Sequence, residues 1–306
     1  MYFEAQGRQT PGFPFEKINT SLQANPNQMK IGVTSDLHTD VTPLNKQILP
    51  HIIEAAEKAD LDIFILAGDL SPNLLELAEI LIAFTESNLS CPKLFVPGNH
   101  DIWVSEHPNV TSEQKYDAIT VVCRECGFHP LDADPFVKNG VGFCGTIGWY
   151  DYSFRRNEYN FSEETYASKQ LMGSVWNDSN YAKWDGTDPE IACRFENKLQ
   201  AQICSIKDSV SQIIVTTHHV PFQECIHSRG TLPWDFFSAY MGSQGLGKTC
   251  LDEQLVTHSL FGHIHAPIWQ QIGNVTAICS PIGYLHQSPA CDLAIYAQER
   301  LTCFEL

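Results

Sequence analysis

Three short apolar runs limit what the first third of this chain can fold into. Ile31-Gly32-Val33-Thr34, Ile63-Phe64-Ile65-Leu66 and Leu94-Phe95-Val96 are continuous rather than alternating, the pattern of strands covered on both faces. Each gives way to turn formers and polar side chains: Asp36-Leu37-His38, Gly68-Asp69 and Gly98-Asn99-His100-Asp101. The intervals are even, 33 residues from Asp36 to Asp69 and 30 from Asp69 to Asn99. Between the runs, Leu44, Ile48, Ile52, Ile53 and Ala56 mark a helix over 43–59. Leu74, Leu77, Ile80, Leu81 and Phe84 mark a second, opened by Ser71-Pro72. The predicted unit is β-α-β-α-β, a parallel sheet whose polar residues gather at the C-terminal ends of its strands. Open α/β sheets carry their chemistry there.

The pattern continues downstream. A helix is predicted over 114–126 and a strand over Val141–Ile147, which delivers Gly148-Trp149-Tyr150-Asp151 to the same rim. After a helix over 190–208, the apolar run Gln212–Thr216 ends in Thr217-His218-His219-Val220-Pro221. A helix near 244–257 precedes His258–Phe261, which leads into Gly262-His263-Ile264-His265. Val275–Cys279 and Leu293–Tyr296 read as strands closing a second sheet. Residues 150–190 differ, being rich in aromatics and poor in aliphatics without a clear period. They read as an insertion over the rim. Its rings either stack on a substrate ring or form a small core of their own. Arg155 and Arg156 within it are candidates to clamp a phosphate.

Residues 1–28 read as an extended lead-in, and residues 29–306 as the folded domain. The first 30 residues lack a basic start followed by an apolar core, so no secretory signal is expected. No apolar run approaches the roughly 18 residues of a membrane span. The net charge of −17, with no Lys/Arg run, leaves no electrostatic footprint for nucleic acid or an anionic membrane. It does not exclude a small phosphate substrate, because bound cations can dominate the local field. The 11 cysteines follow no secreted-scaffold pattern, which places the chain in the cytoplasm with reduced thiols. Cys123-x-x-Cys126 has no second pair at zinc-site spacing.

Two motifs compete for a catalytic reading. Gly242-Ser-Gln-Gly-Leu-Gly247-Lys248-Thr249 matches a phosphate-binding loop. No convincing strand precedes it and no later strand ends in a magnesium-binding Asp, so it reads as a helix start. The strand ends are richer: Asp36/His38, Asp69, Asn99/His100/Asp101, His218/His219 and His263/His265. In extended backbone, Asp36 and His38 share a face, as do His263 and His265. Carboxylate, amide and imidazole donors together suit first-row metals such as Mn, Fe, Zn or Co. There are too many donors for one ion. A pair roughly 3.5–4 Å apart sharing one carboxylate accommodates them, and Asp69, alone in its motif, is the natural bridge.

The ordered blocks D-x-H, G-D, G-N-H-D, H and G-H-x-H, spanning about residues 30–265, resemble the calcineurin-like metallophosphoesterase superfamily. That resemblance implies an α/β fold of two packed mixed β-sheets flanked by helices. It implies that Asp36, His38, Asp69 and His265 hold one divalent metal, and Asp69, Asn99, His218 and His263 the other. A hydroxide between the two ions would be the nucleophile. His100 matches the family's non-ligand histidine, acting on the phosphoryl or leaving oxygen. Asp101 either orients His100 or supports a ligand, and His219 is left beside the substrate. The expected activity is phosphoester hydrolysis on a small substrate, phosphodiesters first, with phosphomonoesters or nucleotides as the alternative. A non-catalytic metal-binding scaffold of the same fold is the other alternative, which the presence of His100 with every ligand position disfavours.

Overall fold

The computed structural model describes residues 28–105, 109–285 and 292–306. The expected lead-in, apart from Gln28, lies outside the described residues. The chain begins β1 Lys30–Thr34, α1 Pro43–Lys58, β2 Ile63–Leu66, α2 Leu74–Thr85, β3 Lys93–Phe95, α3 Ser112–Glu125, β4 His129–Pro130, β5 Phe136–Lys138 and β6 Val141–Thr146. The insertion holds α4 Glu163–Ala167, the small ribbon β7 Gln170–Leu171 and β8 Ser174–Val175, and α5 Asp178–Tyr181. Then come α6 Asp188–Ile206, β9 Gln212–Thr217, α7 Trp234–Phe237, α8 Gln244–Asp252, β10 Val256–Phe261, β11 Ile268–Ile272, β12 Val275–Cys279, α9 Leu293–Arg300 and β13 Thr302–Glu305.

Two sheets result. One has the order β13-β1-β2-β3-β4, the other β11-β12-β10-β9-β6-β5. Both are mixed: β1 to β4 run parallel with β13 antiparallel at the edge, and β12, β10, β9 and β6 run parallel between antiparallel β11 and β5. The continuous apolar runs are explained by what covers each face. Ile31, Val33, Ile63, Ile65 and Leu94 meet Phe143, Ile214, Leu260 and Ile278 of the other sheet in a central layer. Phe64, Leu66 and Phe95 point outward, packing with Ile48, Ile52, Leu77 and Ile80 from α1 and α2. On the far side, Leu199 and Ile203 of α6 and Leu246 of α8 cover Ile213 and Val215. Phe143 is wholly buried in the central layer; cutting it to Ala would cost about 3–5 kcal/mol.

Helix starts are fixed by local caps. Thr42, Asn73 and Ser243 each accept a backbone N–H of the first turn, and Thr111 forms a reciprocal box with Gln114. α2 therefore begins at Leu74 rather than at Ser71-Pro72. Ser243 caps α8, so the Gly242–Thr249 stretch is a helix start, with Lys248 paired to Asp252 on the exposed face. α8 stops at Asp252, short of the expected 257. Leu293–Tyr296 is helical, not a strand. Asp292 caps it by accepting from the Ala294 and Ile295 amides, and a short apolar run alone does not tell a buried strand from a helix. The C-terminal strand is β13, a few residues later, and it edges the first sheet beside β1, not the second. The described cysteines are free thiols, most of them buried. No helix among the described residues is long and apolar enough to cross a membrane.

Candidate metal centre

The strand ends meet where the C-terminal edges of the two sheets converge. Ser35 N–H donates to the Ser280 carbonyl (3.1 Å), tying β1 to the loop after β12. Asp36 N–H donates to Gly68 O and His38 N–H to Asp69 O (2.9 and 3.0 Å), and Gly262 N–H to His218 O (3.1 Å). His263 N–H closes the seam by donating to Asp36 Oδ1 (3.0 Å).

The donor residues are not extended. Asp36, His38, Asp69, His263 and His265 all have positive φ, between 46° and 74°. The expected face-sharing of Asp36 with His38 and of His263 with His265 therefore rests on the wrong geometry. The side chains do converge, through left-handed turns rather than strand alternation. Such conformations cost about 1–3 kcal/mol per residue and persist where the surroundings over-determine them. Gly68 (φ +89°) and Gly98 permit the close approach, since a Cβ on Gly98 would collide with Asp69 Oδ1.

Two groups form. Asp36, His38, Asp69 and His265 place one donor atom each within 4.8 Å of the others, and so do Asp69, His218 and His263. Asp69 belongs to both. Its Oδ2 lies 3.6 Å from His38 Nε2 and 3.3 Å from His218 Nε2, while its Oδ1 accepts the His100 amide (2.9 Å). His38 Nε2 and His265 Nε2 are 2.9 Å apart, and His265 Nε2 is 3.4 Å from Asp36 Oδ1.

The proton positions in the second group follow from its neighbours. His218 Nδ1 faces the Ala67 carbonyl (2.8 Å) and so carries a proton, and in the neutral ring that a metal would bind the lone pair is on Nε2. His263 Nε2 faces the Tyr240 carbonyl (3.2 Å), leaving its lone pair on Nδ1. Both lone pairs point at Asn99 Oδ1, 3.1 and 3.0 Å away. Asn99 Nδ2 donates to the Asp178 carboxylate (2.9 Å), which can only accept, so the amide cannot be turned round. Two imidazole lone pairs, an amide oxygen and a carboxylate oxygen thus aim at one another inside a buried space. Only a cation or a proton satisfies all four.

The titration behaviour expresses the same need. Burial would lower the His218 imidazolium, but Asp69 overrides it and raises it to about 9. Burial would raise the Asp36 carboxyl, but the facing His265 holds it at about 2. Asp69 is likewise held well below the usual range by His218, against its burial. Burial and the neighbouring His218 charge bring His263 down to about 4. His38 and His219 lie well below normal, burial being the main cause in each. The residues present fit two divalent cations, whose charge would replace the protons these groups compete for.

The other expected site residues fall as follows. His100 lies at the rim with its side chain 13% exposed, Nε2 3.9 Å from Asp69 Oδ2. Its ring stacks on Trp103 at 3.7 Å. Among the described residues, no hydrogen bond joins the Asp101 carboxylate to the His100 ring. Its carboxylate accepts the amides of Asp69, Leu70, Ser71 and Gly98 (2.7–3.0 Å), clamping the Asp69 turn. Burial and the Asp69 charge push its carboxyl up, to about 7. His219 Nδ1 faces the Ile147 carbonyl, and its Nε2 is buried with no partner among the described residues. Arg155 pairs with Glu163 (3.7 Å), and Arg156 donates to the Ile226 carbonyl (3.1 Å). Both arginines therefore have protein partners of their own.

Three contributors escaped the sequence reading. Trp103 backs His100. Tyr284 stands against His38 and His265, with ring centroids 4.8 and 4.6 Å away. Asp178, from the insertion, holds Asn99. None carries a local signal, although Trp103 sits two residues beyond the G-N-H-D block. The insertion's aromatics pack among themselves and with α7 and its C-terminal extension: Tyr166 stacks on Phe236 (4.8 Å), and Trp176 on Tyr240 (5.6 Å). They join the same buried cluster as Phe64, Leu77 and Ile80 rather than forming a separate core.

Two packed mixed sheets flanked by helices, with Asp/His clusters at the joined sheet edges, make the α/β sandwich of the metallophosphoesterases. The family description "Calcineurin-like phosphoesterase" matches residues 29–267, and the chain belongs to that family. Among curated proteins it is 25% identical over 193 residues to an uncharacterized metallophosphoesterase of Helicobacter pylori (strain J99), covering 63% of this chain and 44% of the relative. The chain thus spans less than half the length of the curated relatives it matches. Among solved structures it is similar in fold to the phosphopantetheinyl hydrolase of Mycobacterium tuberculosis: TM-score 0.65, 20% identity, 85% of this chain and 92% of that one. It is also similar to a dimetal phosphatase from Danio rerio: TM-score 0.51, 13% identity, 85% and 89% covered.

Proposed function

We propose that this chain is a binuclear metal-dependent hydrolase of phosphoesters, acting first on phosphodiesters of small molecules. The observation that carries the reading is the convergence of carboxylate, amide-oxygen and imidazole groups on one another around Asp69 and Asn99, an arrangement that calls for cations. Asp36, His38, Asp69 and His265 would hold one ion, and Asp69, Asn99, His218 and His263 the other. When bound, the pair would lower the pKa of a water between them and neutralise phosphoryl oxygens.

The chain's own residues supply the rest. Asp69 Oδ2 serves both groups and fixes their spacing. Asp101, gripping four amides, holds the turn that presents Asp69. His100 is committed to no ion. Its Nε2 opens to the rim, and Trp103 keeps its plane fixed, so in the imidazolium form it can donate to a phosphoryl or leaving-group oxygen. The motif order supports the diester preference through its similarity to phosphodiesterase patterns. The net charge of −17 favours a small substrate over a polyanion. The unbridged described cysteines suit a cytoplasmic setting.

The test is metal analysis of the purified chain followed by hydrolysis of a bis-aryl phosphate reporter, a monoester reporter, nucleotides and a phosphopantetheinyl ester. Metal-dependent turnover highest on diesters is expected. Metal binding without turnover on any of them would favour the scaffold alternative, and monoester turnover well above diester turnover would reverse the preference.

A further inference from the structure

We propose that Asp178, supplied by the insertion, is a positioning residue for both halves of the centre, an inference that rests on the metal-site reading above. Its carboxylate is buried, 1% exposed, and lies under the rim. One oxygen, Oδ1, accepts from Asn99 Nδ2 (2.9 Å) and from Trp103 Nε1 (2.7 Å). The other, Oδ2, accepts from Trp176 Nε1 (2.8 Å). The first contact decides which end of the Asn99 amide faces His218 and His263. The second fixes the indole against which the His100 ring lies.

The physical argument turns on what an amide can present. Asn99 can offer a metal its oxygen or, rotated by half a turn, its NH2, which repels a cation. The two faces are nearly equal in shape, so packing alone does not choose between them. A buried carboxylate beside Nδ2 chooses, because it accepts and cannot donate. Trp103 Nε1 on the same oxygen carries this order to His100, whose ring has no hydrogen bond to a described side chain that would set its plane. The insertion is therefore more than a cover. Through α5 it contributes an anion that orders a ligand on one side and the proton donor on the other.

The test compares wild type with Asp178→Asn by titrating metal-free protein with Co²⁺, following d–d absorbance and calorimetry. Two equivalents are expected to bind to wild type. In Asp178→Asn, one equivalent should weaken by about 10–100-fold, the range for loss of a group that orients a ligand, while the other holds. The exchange Asn99→Asp with Asp178→Asn keeps an oxygen toward the metal and a donor–acceptor pair behind it, and should restore most of that loss. Trp103→Phe keeps a ring beneath His100 but deletes the N–H. It should lower kcat several-fold with both Co²⁺ affinities retained. Unchanged binding in Asp178→Asn, or an unchanged kcat in Trp103→Phe, overturns the proposal. If Asp178→Asn does not fold, the exchange and Trp103→Phe carry the decision. A wild-type chain that takes up no second equivalent refutes the two-metal reading itself, and the role of Asp178 with it.

Discussion

His38 Nε2 and His265 Nε2 face each other across 2.9 Å, at the end of a row of acceptors that includes Asp36 and Asp69. Both rings also stand against Tyr284, with centroids 4.8 and 4.6 Å away, and His38 against the His100 ring at 4.6 Å. Such a pair is satisfied by one proton shared between the rings or by a cation that both face.

Removing that charge should loosen the molecule. Chelation is expected to lower the melting temperature and abolish hydrolysis, with Mn²⁺ or Zn²⁺ restoring both. At a free-ion concentration 100 times Kd, one site should stabilise the fold by about 2.7 kcal/mol. Differential scanning calorimetry with and without chelator reads this directly. An unchanged transition would mean that the clusters hold no ion.

His100→Asn should leave both metal equivalents in place and reduce turnover by about 10²–10⁴-fold, the usual range for a lost acid–base group. Metal content and kcat measured on the same preparation check it. Activity near wild type would assign the proton donor elsewhere.

In the metal-free chain, His218 should make stability fall on the alkaline side. Its folded pKa, about 9, stands above the ordinary 6.5 because Asp69 outweighs burial. The stabilisation is thus fully present below about pH 6.5 and disappears as pH rises through about 9. Urea unfolding of the metal-free protein and of His218→Gln across that window should show the gap between them closing. Metal uptake should also release protons, detectable by calorimetry in buffers of different ionisation enthalpy.

Asp101→Asn should destabilise the fold by about 2–3 kcal/mol, because an NH2 replaces an oxygen among four amide donors. Activity should fall through displacement of Asp69, so metal affinity should weaken along with kcat. Loss of kcat at wild-type metal affinity would instead place Asp101 on His100.

Much of the architecture was legible because its cause is local. Continuous apolar runs report two-sided burial, and β1, β2, β3, β6 and β9 were found where those runs lie. The candidate donors were legible because each follows directly on a strand. Their geometry was not, since left-handed turns at Asp36 and His38 are set by amides donated to Gly68 and Asp69 from a neighbouring loop. Leu293–Tyr296 misled because four apolar or small residues fit either element, and Asp292 as a cap settled it. Asp178 and Tyr284 were invisible for a different reason. Their roles depend on partners 79 and 246 residues away, Asn99 and His38, and nothing beside them in the chain marks the contact.

The donors of each cluster come from both sheets: Asp36, His38 and Asp69 from one, and His218, His263 and His265 from the other. An ion in either position would therefore act as a rivet through the sandwich. Neither half of the polypeptide owns a complete nest. During synthesis, the nest closes once β10 and the turn after it have joined the earlier strands, so metal uptake would come late and would report that the two halves have met.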